Sequence, residues 1–364
     1  MVTEKDERFM ARAIEIARIP AFTSPNPRVG AVVVKDDRII GEGSHQGPGR
    51  PHAEVIALED VDARGATLYA SLEPCSHHGR TPPCTDAIIA AGVERVVAPA
   101  PDPDERVAGT GFGALTAAGI EVEVGVLAAE AEALNAAYLH HRRTGRPFVT
   151  LKLALSLDGA LAAPDGSARW ITGAEARRRV HMRRQEVDAV MVGAATVIAD
   201  DPELTARDVG ATRQPLRLVV DSSGRVAPGA RVFASGRGGV LIATTDMASS
   251  GTRDAWEAAG AEVLVLPRDE RGVDLHALLK EMGARDVVEI MCEGGAELAS
   301  SLLDAGLVGC LELHYGGVLL GRDGIRLDSL GVSSMADAAR WSLESVSRSG
   351  DDVVVRLRPD EEVG

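Results

Sequence analysis

The sequence predicts two α/β domains in tandem. Three observations carry that reading. The chain has 364 residues, more than one core of ordinary size holds. Short apolar runs alternate with stretches of helical periodicity in both halves, as strand–helix layers require. Near the middle, Thr144-Gly145-Arg146-Pro147 stops the pattern with a glycine and a proline. The boundary falls there, giving domains over 1–145 and 146–364.

The first domain opens on a helix over 4–18, with Phe9, Ala13, Ile16 and Ala17 on one face. Pro25 and Pro27 break the pattern that follows. Val29 to Val34 is an unbroken apolar run and reads as a buried strand. A helix over 53–59, a strand over 67–72 and a helix over 85–91 come next. Strands over 93–98 and 121–126 precede one helix over 130–141. That helix runs into a basic cluster, His140 to Arg143, read as a solvated helix end. In the second domain, strands are expected at 148–155, 189–193, 216–221, 240–243, 263–266, 287–291 and 310–315. Helices are expected at 174–185, 275–282 and 296–305, and two late strands at 342–347 and 353–357. No internal repeat or low-complexity tract interrupts this order.

Composition narrows the function. Hydrophobic residues make up 45% and aromatics only 3%, so Ala, Val, Leu and Gly build the cores. A net charge of −15 repels polyphosphate and argues against nucleic acid as a partner. A few arginines still suffice to hold one phosphate. The first ten residues carry no apolar run and no stretch approaches a membrane span, so the expected compartment is the cytosol. Four cysteines make no disulfide framework in so long a chain. In a reducing compartment, paired cysteines read first as metal ligands.

The sharpest signal is His52-Ala53-Glu54, followed by Pro74-Cys75 and Cys84. One imidazole and two thiolates give zinc three protein ligands and leave a fourth position for water, the mark of a catalytic site. Glu54, at the start of a helix two residues after His52, can shuttle that water's proton. A hydroxide then attacks an amino-bearing ring carbon and ammonia leaves. This is the arrangement of zinc deaminases, with eight residues rather than two between the cysteines. Pro82 and Pro83 precede a helix that Cys84 opens, where a helix N-terminus favours thiolate. The competing reading is a structural zinc with a fourth ligand from His77 or His78.

The second half speaks more softly. Lys152 sits on an expected strand, and Cys292-Glu293-Gly294-Gly295 places a Gly-Gly pair between strand and helix. Such a pair lets backbone N–H groups approach a phosphate, or simply makes a tight turn. Gly109-Thr110-Gly111-Phe112-Gly113 follows a Pro- and Asp-rich loop and reads as a turn opening a helix. A nicotinamide cofactor would therefore not sit on an ordinary Rossmann domain. Taken alone, Trp170 reads as core. Arg184, in a helix with Arg177, Arg178, Arg179 and Arg183, reads as a solvated face.

Pro25-Asn26-Pro27-Arg28-Val29-Gly30, the stretch from His45 to Glu54, and Glu73-Pro74-Cys75 through Cys84 together resemble the bifunctional deaminase–reductase family of riboflavin biosynthesis. The similarity runs from about Phe9 to about Leu357. It implies a three-layer cytidine-deaminase-like domain followed by a dihydrofolate-reductase-like α/β domain. The implied substrate is 2,5-diamino-6-ribosylamino-4(3H)-pyrimidinone 5′-phosphate, whose ring 2-amino group is replaced by oxygen. Asn26, His45, His77, Arg80 and Thr81 would bind it. The second domain would use NADPH to open the ribose of the product to a ribityl chain. There the resemblance assigns the cofactor to Ala154, Trp170, Thr196, Asp200, Ser222, Gly294 and Gly295. It assigns the substrate to Lys152, Arg184, Leu204, Arg207 and Glu293, with Arg184 and Arg207 as natural partners of the 5′-phosphate. It also implies a homo-oligomer.

Two departures stand out. Asp102-Pro103-Asp104-Glu105 replaces the family's usual Asp-Pro-Asn-Pro, and Ala168 (with Ser167 beside it) stands where a serine often precedes the tryptophan by two. Two other functions compete. One is a nucleobase or nucleic-acid deaminase with an unrelated second domain, which the net charge opposes. The other is a zinc-stabilised binding protein, which would need a four-ligand site.

Overall fold

The computed structural model describes residues 3–77, 81–104, 108–234, 238–327 and 330–360. The chain divides into two compact units, Met1–Gly145 and Arg146–Gly364.

In the first unit, β1 (Gly30–Lys35), β2 (Arg38–Ser44), β3 (Thr67–Ala70), β4 (Arg95–Ala98) and β5 (Glu121–Val124) form one sheet, ordered β2-β1-β3-β4-β5. β1 runs antiparallel to β2 and β3, and the β3-β4-β5 side is parallel. The apolar run of β1 is buried on both faces. Ala31 and Val33 join one core, Val32 and Val34 the other. The first core takes Ala53, Ala57, Ile88 and Leu115 from three helices, Ala53–Leu58, Cys84–Ala90 and Thr110–Ala117. The second takes Phe9, Met10 and Ala13 from the helix Glu4–Ile16, which opens on a Thr3–Asp6 capping box. Helices on both faces make three layers.

Two expectations fail here for physical reasons. The strand β2 escapes notice because glycines interrupt it. A Cβ at Gly43 would lie 2.2 Å from the Ala53 carbonyl oxygen, so the helix Ala53–Leu58 packs directly onto the strand backbone. The single helix expected over 130–141 is two, Ala128–Leu134 and Ala136–Thr144, broken at Asn135. The Asn135 amide clasps the Arg28 backbone at both ends: the Arg28 N–H donates to Oδ1 (2.8 Å) and Nδ2 donates to the Arg28 carbonyl (2.9 Å). That clasp holds Asn135 at φ −109°, out of helical geometry. The basic cluster beyond is only partly solvated. His141 is buried, and Arg142 stacks on Tyr138 and pairs with Asp104 at 3.8 Å.

The second unit holds β6 (Phe148–Ser156), β7 (Ala189–Gly193), β8 (Leu216–Val220), β9 (Val240–Thr244) and β10 (Glu262–Val265). The two-residue strands β11 (Arg268–Asp269) and β12 (Gly272–Val273) pair only with each other. β13 (Glu289–Cys292), β14 (Cys310–Gly316), β15 (Trp341–Ser349) and β16 (Asp352–Pro359) follow. Nine strands form one sheet, ordered β10-β9-β8-β7-β13-β6-β14-β16-β15, parallel as far as β14 and antiparallel beyond. Alternate residues of β7 to β9 face two cores, as a sheet covered by helices on both sides requires, while Val149, Leu151, Leu153 and Leu155 of β6 all join the first. Helices Ala194–Asp200 and Ser250–Ala258 were not expected from the sequence. Among the described residues, no helix is long and apolar enough to cross a membrane.

Candidate active sites

In the first unit, His52 caps the helix Ala53–Leu58, Cys75 follows β3 in a loop, and Cys84 opens the helix Cys84–Ala90. Their ligand atoms lie within 4.8 Å of one another. The His52 Nδ1 is 2.9 Å from the Cys84 Sγ and 3.5 Å from the Cys75 Sγ, and the sulfurs are 3.4 Å apart. Ligands of a tetrahedral zinc, at about 2.0–2.3 Å from the metal, stand roughly 3.5 Å from each other. The donor set therefore fits zinc with a few tenths of an ångström of adjustment. Cys75 is drawn down to about 4, first by the Cys84 thiol beside it, then by His52 and the Cys84 backbone N–H. Cys84 is pushed up, first by Cys75. The cluster holds one imidazole and two thiols, and no fourth ligand joins them among the described residues.

Glu54 sits in the first turn of the helix Ala53–Leu58, 3% exposed. Its Oε2 is buried without a partner, and burial pushes its carboxyl above the usual range. A buried carboxyl with one unpartnered oxygen beside three metal donors is costly for stability and suited to proton transfer. Asn26 Nδ2 lies 2.9 Å from His45 Nε2, and His45 Nδ1 lies 3.2 Å from the Pro51 carbonyl, which fixes the pair. The His45 and His52 rings meet edge to face at 5.2 Å, so Asn26 and His45 border the metal donors. The His77 Nδ1 is buried without a partner. Thr81 Oγ1 is 3.3 Å from His52 Nε2, which leaves Nδ1 free to face the sulfurs. Arg80 lies outside the described residues.

Sequence reasoning missed Glu73, two residues before Cys75. Its buried carboxylate accepts four backbone N–H bonds, from Asp102, Gly109, Gly111 and Phe112, at 2.9–3.1 Å. It stands at the N-terminus of the helix Thr110–Ala117, where the glycine-rich run forms a turn opening a helix. Glu73→Ala strands four amides and is expected to lower the urea-unfolding stability by about 3 kcal/mol or more. Glu73→Gln, which keeps one acceptor oxygen, is expected to lose less. A loss under about 1 kcal/mol for the alanine variant would remove this role.

In the second unit, Lys152, Ala154, Trp170, Thr196, Asp200 and Leu204 line a cavity of about 660 Å³. Arg184, Arg207 and Glu293 complete the wall. Burial draws Lys152 below its ordinary value, and Glu293 opposes that shift. Trp170 is 63% exposed with the Arg177 guanidinium 4.2 Å over its ring, so it is no core residue. Arg184 is buried on the stripe Ala176–Val180–Arg184, not on a solvated face. It grips Glu293 with two bonds of 2.6 and 2.7 Å and donates a third to the Thr205 carbonyl (2.9 Å). Ser167 donates its hydroxyl to Asp165 (2.7 Å), so Ala168 presents only a methyl to the cavity.

Ser222 and Gly295 line a separate cavity of about 420 Å³. The Gly294–Gly295 turn lies between the two. Its Gly294 carbonyl accepts from Thr196 Oγ1 (3.3 Å), and a Cβ at Gly295, whose φ is +92°, would come within 2.8 Å of that oxygen.

Residues 147–355 match the model of the RibD C-terminal domain, and residues 3–100 match the cytidine and deoxycytidylate deaminase zinc-binding region. The riboflavin biosynthesis protein RibD of Escherichia coli K12 is 43% identical, with 97% of this chain and 99% of the relative covered. The chain belongs to the RibD family. RibD of Aquifex aeolicus is 39% identical, covering 98% of this chain and 99% of the relative. The solved structure of Acinetobacter baumannii RibD superposes with a TM-score of 0.88 at 37% identity, covering 98% and 99% of the two chains. The deaminase/reductase structure from Thermotoga maritima gives 0.84 at 36% identity, with the same coverage. As a RibD, this chain is a bifunctional deaminase and reductase of riboflavin biosynthesis. It joins a cytidine-deaminase-like zinc domain to a dihydrofolate-reductase-like, NADPH-dependent one.

Proposed function

We propose that residues 1–145 deaminate 2,5-diamino-6-ribosylamino-4(3H)-pyrimidinone 5′-phosphate and that residues 146–364 reduce the ribosyl group of the product. The observation that carries the first step is the buried Glu54 carboxyl, its Oε2 without a partner, beside His52, Cys75 and Cys84. His52 Nδ1 and the two sulfurs would hold zinc. When bound, zinc makes water a nucleophile near neutral pH. Glu54 takes the proton from that water and delivers it to the ring nitrogen and the leaving ammonia. Asn26, steadied by His45, offers its amide to the ring edge. His77 and Thr81 border the ring.

In the reductase, Lys152 and Glu293 flank the sugar and Leu204 closes the wall. Leu204 adopts φ +55°, a conformation that costs a non-glycine residue about 1 kcal/mol or more. Ala154, Trp170, Thr196, Asp200, Ser222 and the Gly294–Gly295 turn would hold the cofactor. NADPH supplies the hydride that reaches C1′. The C1′–O4′ bond breaks and O4′ takes up a proton, with Lys152 on the cavity wall as its donor. A cytosolic setting agrees with four unpaired cysteines. A homo-oligomer agrees with the edge strand β15, which leaves Leu343 and Val346 exposed; a monomer in sedimentation would remove that part.

The test is ammonia release from the ribotide against ammonia release from cytidine. The ribotide is expected to be preferred by at least about 100-fold in kcat/KM. Equal rates, or a preference for cytidine, would return the nucleobase reading.

A further inference from the structure

We infer that Glu312 is a positioning residue of the reductase: its buried carboxylate, in register with Lys152 on the neighbouring strand, is the counter-charge that holds the proton on Lys152 until the opening sugar takes it. The inference rests on the reductase reading above, in which Lys152 gives that proton to O4′.

The two faces of the sheet around Lys152 differ in kind. On one face, Leu151 and Leu153 of β6 and Leu311 of β14 join the first core. Strand alternation puts Lys152 and Ala154 on the other face, with Glu312 and His314 beside them on β14. Arg356 of β16 stands opposite Glu312 in the same layer. Buried charges are weak evidence of stability, so such a layer points to a use beyond packing. Its other cations are arginines, which do not give up a proton. Arg183 bonds Glu289 (2.7 Å) and Glu186 (2.8 Å), Arg184 bonds Glu293, and Arg356 bonds Glu312. Lys152 is the exception. The chain has four lysines, Lys5, Lys35, Lys152 and Lys280, and of these only Lys152 lines the larger cavity.

Among the described residues, no carboxylate stands in ion-pair range of the Lys152 ammonium; Glu293 and Glu312 are ion-paired elsewhere. Its charge is set by the groups around it. Burial draws Lys152 below its ordinary value; Glu293 and Glu312 oppose that and Arg184 adds to it. Glu293 lies in the fork of Arg184, at 2.6 and 2.7 Å. Glu312 keeps more of its charge. One oxygen accepts from Arg356, which is shared with Glu344 at 3.5 Å. The other lies 2.9 Å from His314 Nε2. His314 is 1% exposed, with Nδ1 buried and unpartnered. Burial draws its ring below the ordinary value against the pull of Glu312, and Lys152 and Arg179 add to the fall. The ring is therefore neutral at neutral pH and touches the carboxylate without cancelling it. Glu312 is held at about 2, against its burial, by His314, Arg183 and Arg356. A fixed carboxylate on the next strand, roughly 5 Å away along the sheet, favours ammonium over amine. As the hydride reaches C1′, Lys152 gives its Nζ proton to O4′ and becomes an amine. It recovers a proton from water, and the charge of Glu312 favours that return.

The experiment is the pH profile of kcat/KM for reduction of the deaminated 5′-phosphate. Activity should fall on the basic side as Lys152 loses its proton. Glu312→Gln keeps the shape and removes the charge, so that limb is expected to move to lower pH by about one unit or more, with the plateau on its acid side retained. Arg356→Gln leaves Glu312 less neutralised and should move the limb the other way. Glu289→Gln removes a charge of the same layer that is in register with Phe148 instead, and should leave the limb in place. Competitive labelling with acetic anhydride, read by mass spectrometry, titrates Lys152 in the free enzyme without turnover, with Lys5, Lys35 and Lys280 as references. Its midpoint should fall with the limb in Glu312→Gln. A limb and a midpoint that both stay put in that variant would overturn the inference. So would an equal loss of kcat/KM at every pH, the mark of packing alone. Reduction at the wild-type rate by Lys152→Gln would remove the donor reading, while the labelling midpoint would still decide whether Glu312 sets the charge on Lys152.

Discussion

Glu54→Gln is expected to keep its zinc and lose deamination by about 10²- to 10⁴-fold. The amide is the same size and fits the same buried niche, 3% exposed at the start of the helix Ala53–Leu58. It cannot carry a proton from water to the ring. The three donor atoms lie on His52, Cys75 and Cys84, so metal content should not change. Thermal stability should hold or rise, because the native carboxyl is buried without a partner for Oε2. Reduction of the pre-deaminated substrate should be unaffected. Deamination at the wild-type rate, with metal bound, would remove Glu54 from the mechanism.

Cys75→Ser is the second large effect. A serine hydroxyl is a poor zinc ligand at neutral pH, whereas Cys75 is drawn down to about 4 by Cys84 and His52. Two strong donors would remain on a metal that needs three. Zinc content by plasma emission is expected to fall below about half an equivalent, with deamination reduced by more than about 100-fold. The first unit should also unfold more readily, because metal binding ties the loop after β3 to the helix Cys84–Ala90. Full zinc occupancy in this variant would mean that another residue holds the metal.

How much of this was legible depended on how local each cause was. The strand β1 announced itself because both of its faces are buried, which makes an unbroken apolar run. The metal donors were legible because zinc chemistry restricts residue type and spacing so sharply. By contrast, β2 is an edge strand whose Gly41 and Gly43 serve contacts with a helix that follows them, and contacts of that kind leave no periodicity. The break at Asn135 comes from Arg28, 107 residues away, and nothing adjacent signals it. The helix Ser250–Ala258 buries only Trp256, too little to draw an apolar stripe.

The reductase site was harder still. Arg184 falls at i+4 from Val180 and i+8 from Ala176, a spacing that marks the inward face. Four neighbouring arginines concealed it. Glu73 stood in view within the Glu-Pro-Cys motif, but its role is to gather amides from residues 102–112, which only the fold brings near. Trp170 shows the opposite failure. Aromatic residues are usually core, and this one stands at the mouth of a cavity under an arginine.

The central claim is that one chain both deaminates and reduces the same substrate. The most direct measurement follows ammonia and NADPH together in one reaction, starting from the diaminopyrimidinone ribotide, with and without a zinc chelator. One ammonia should appear for each NADPH consumed, and the chelator should stop both from this substrate while sparing reduction of the pre-deaminated one. Ammonia release with NADPH untouched would contradict the reductase assignment, and no ammonia from a zinc-loaded protein would contradict the account as a whole.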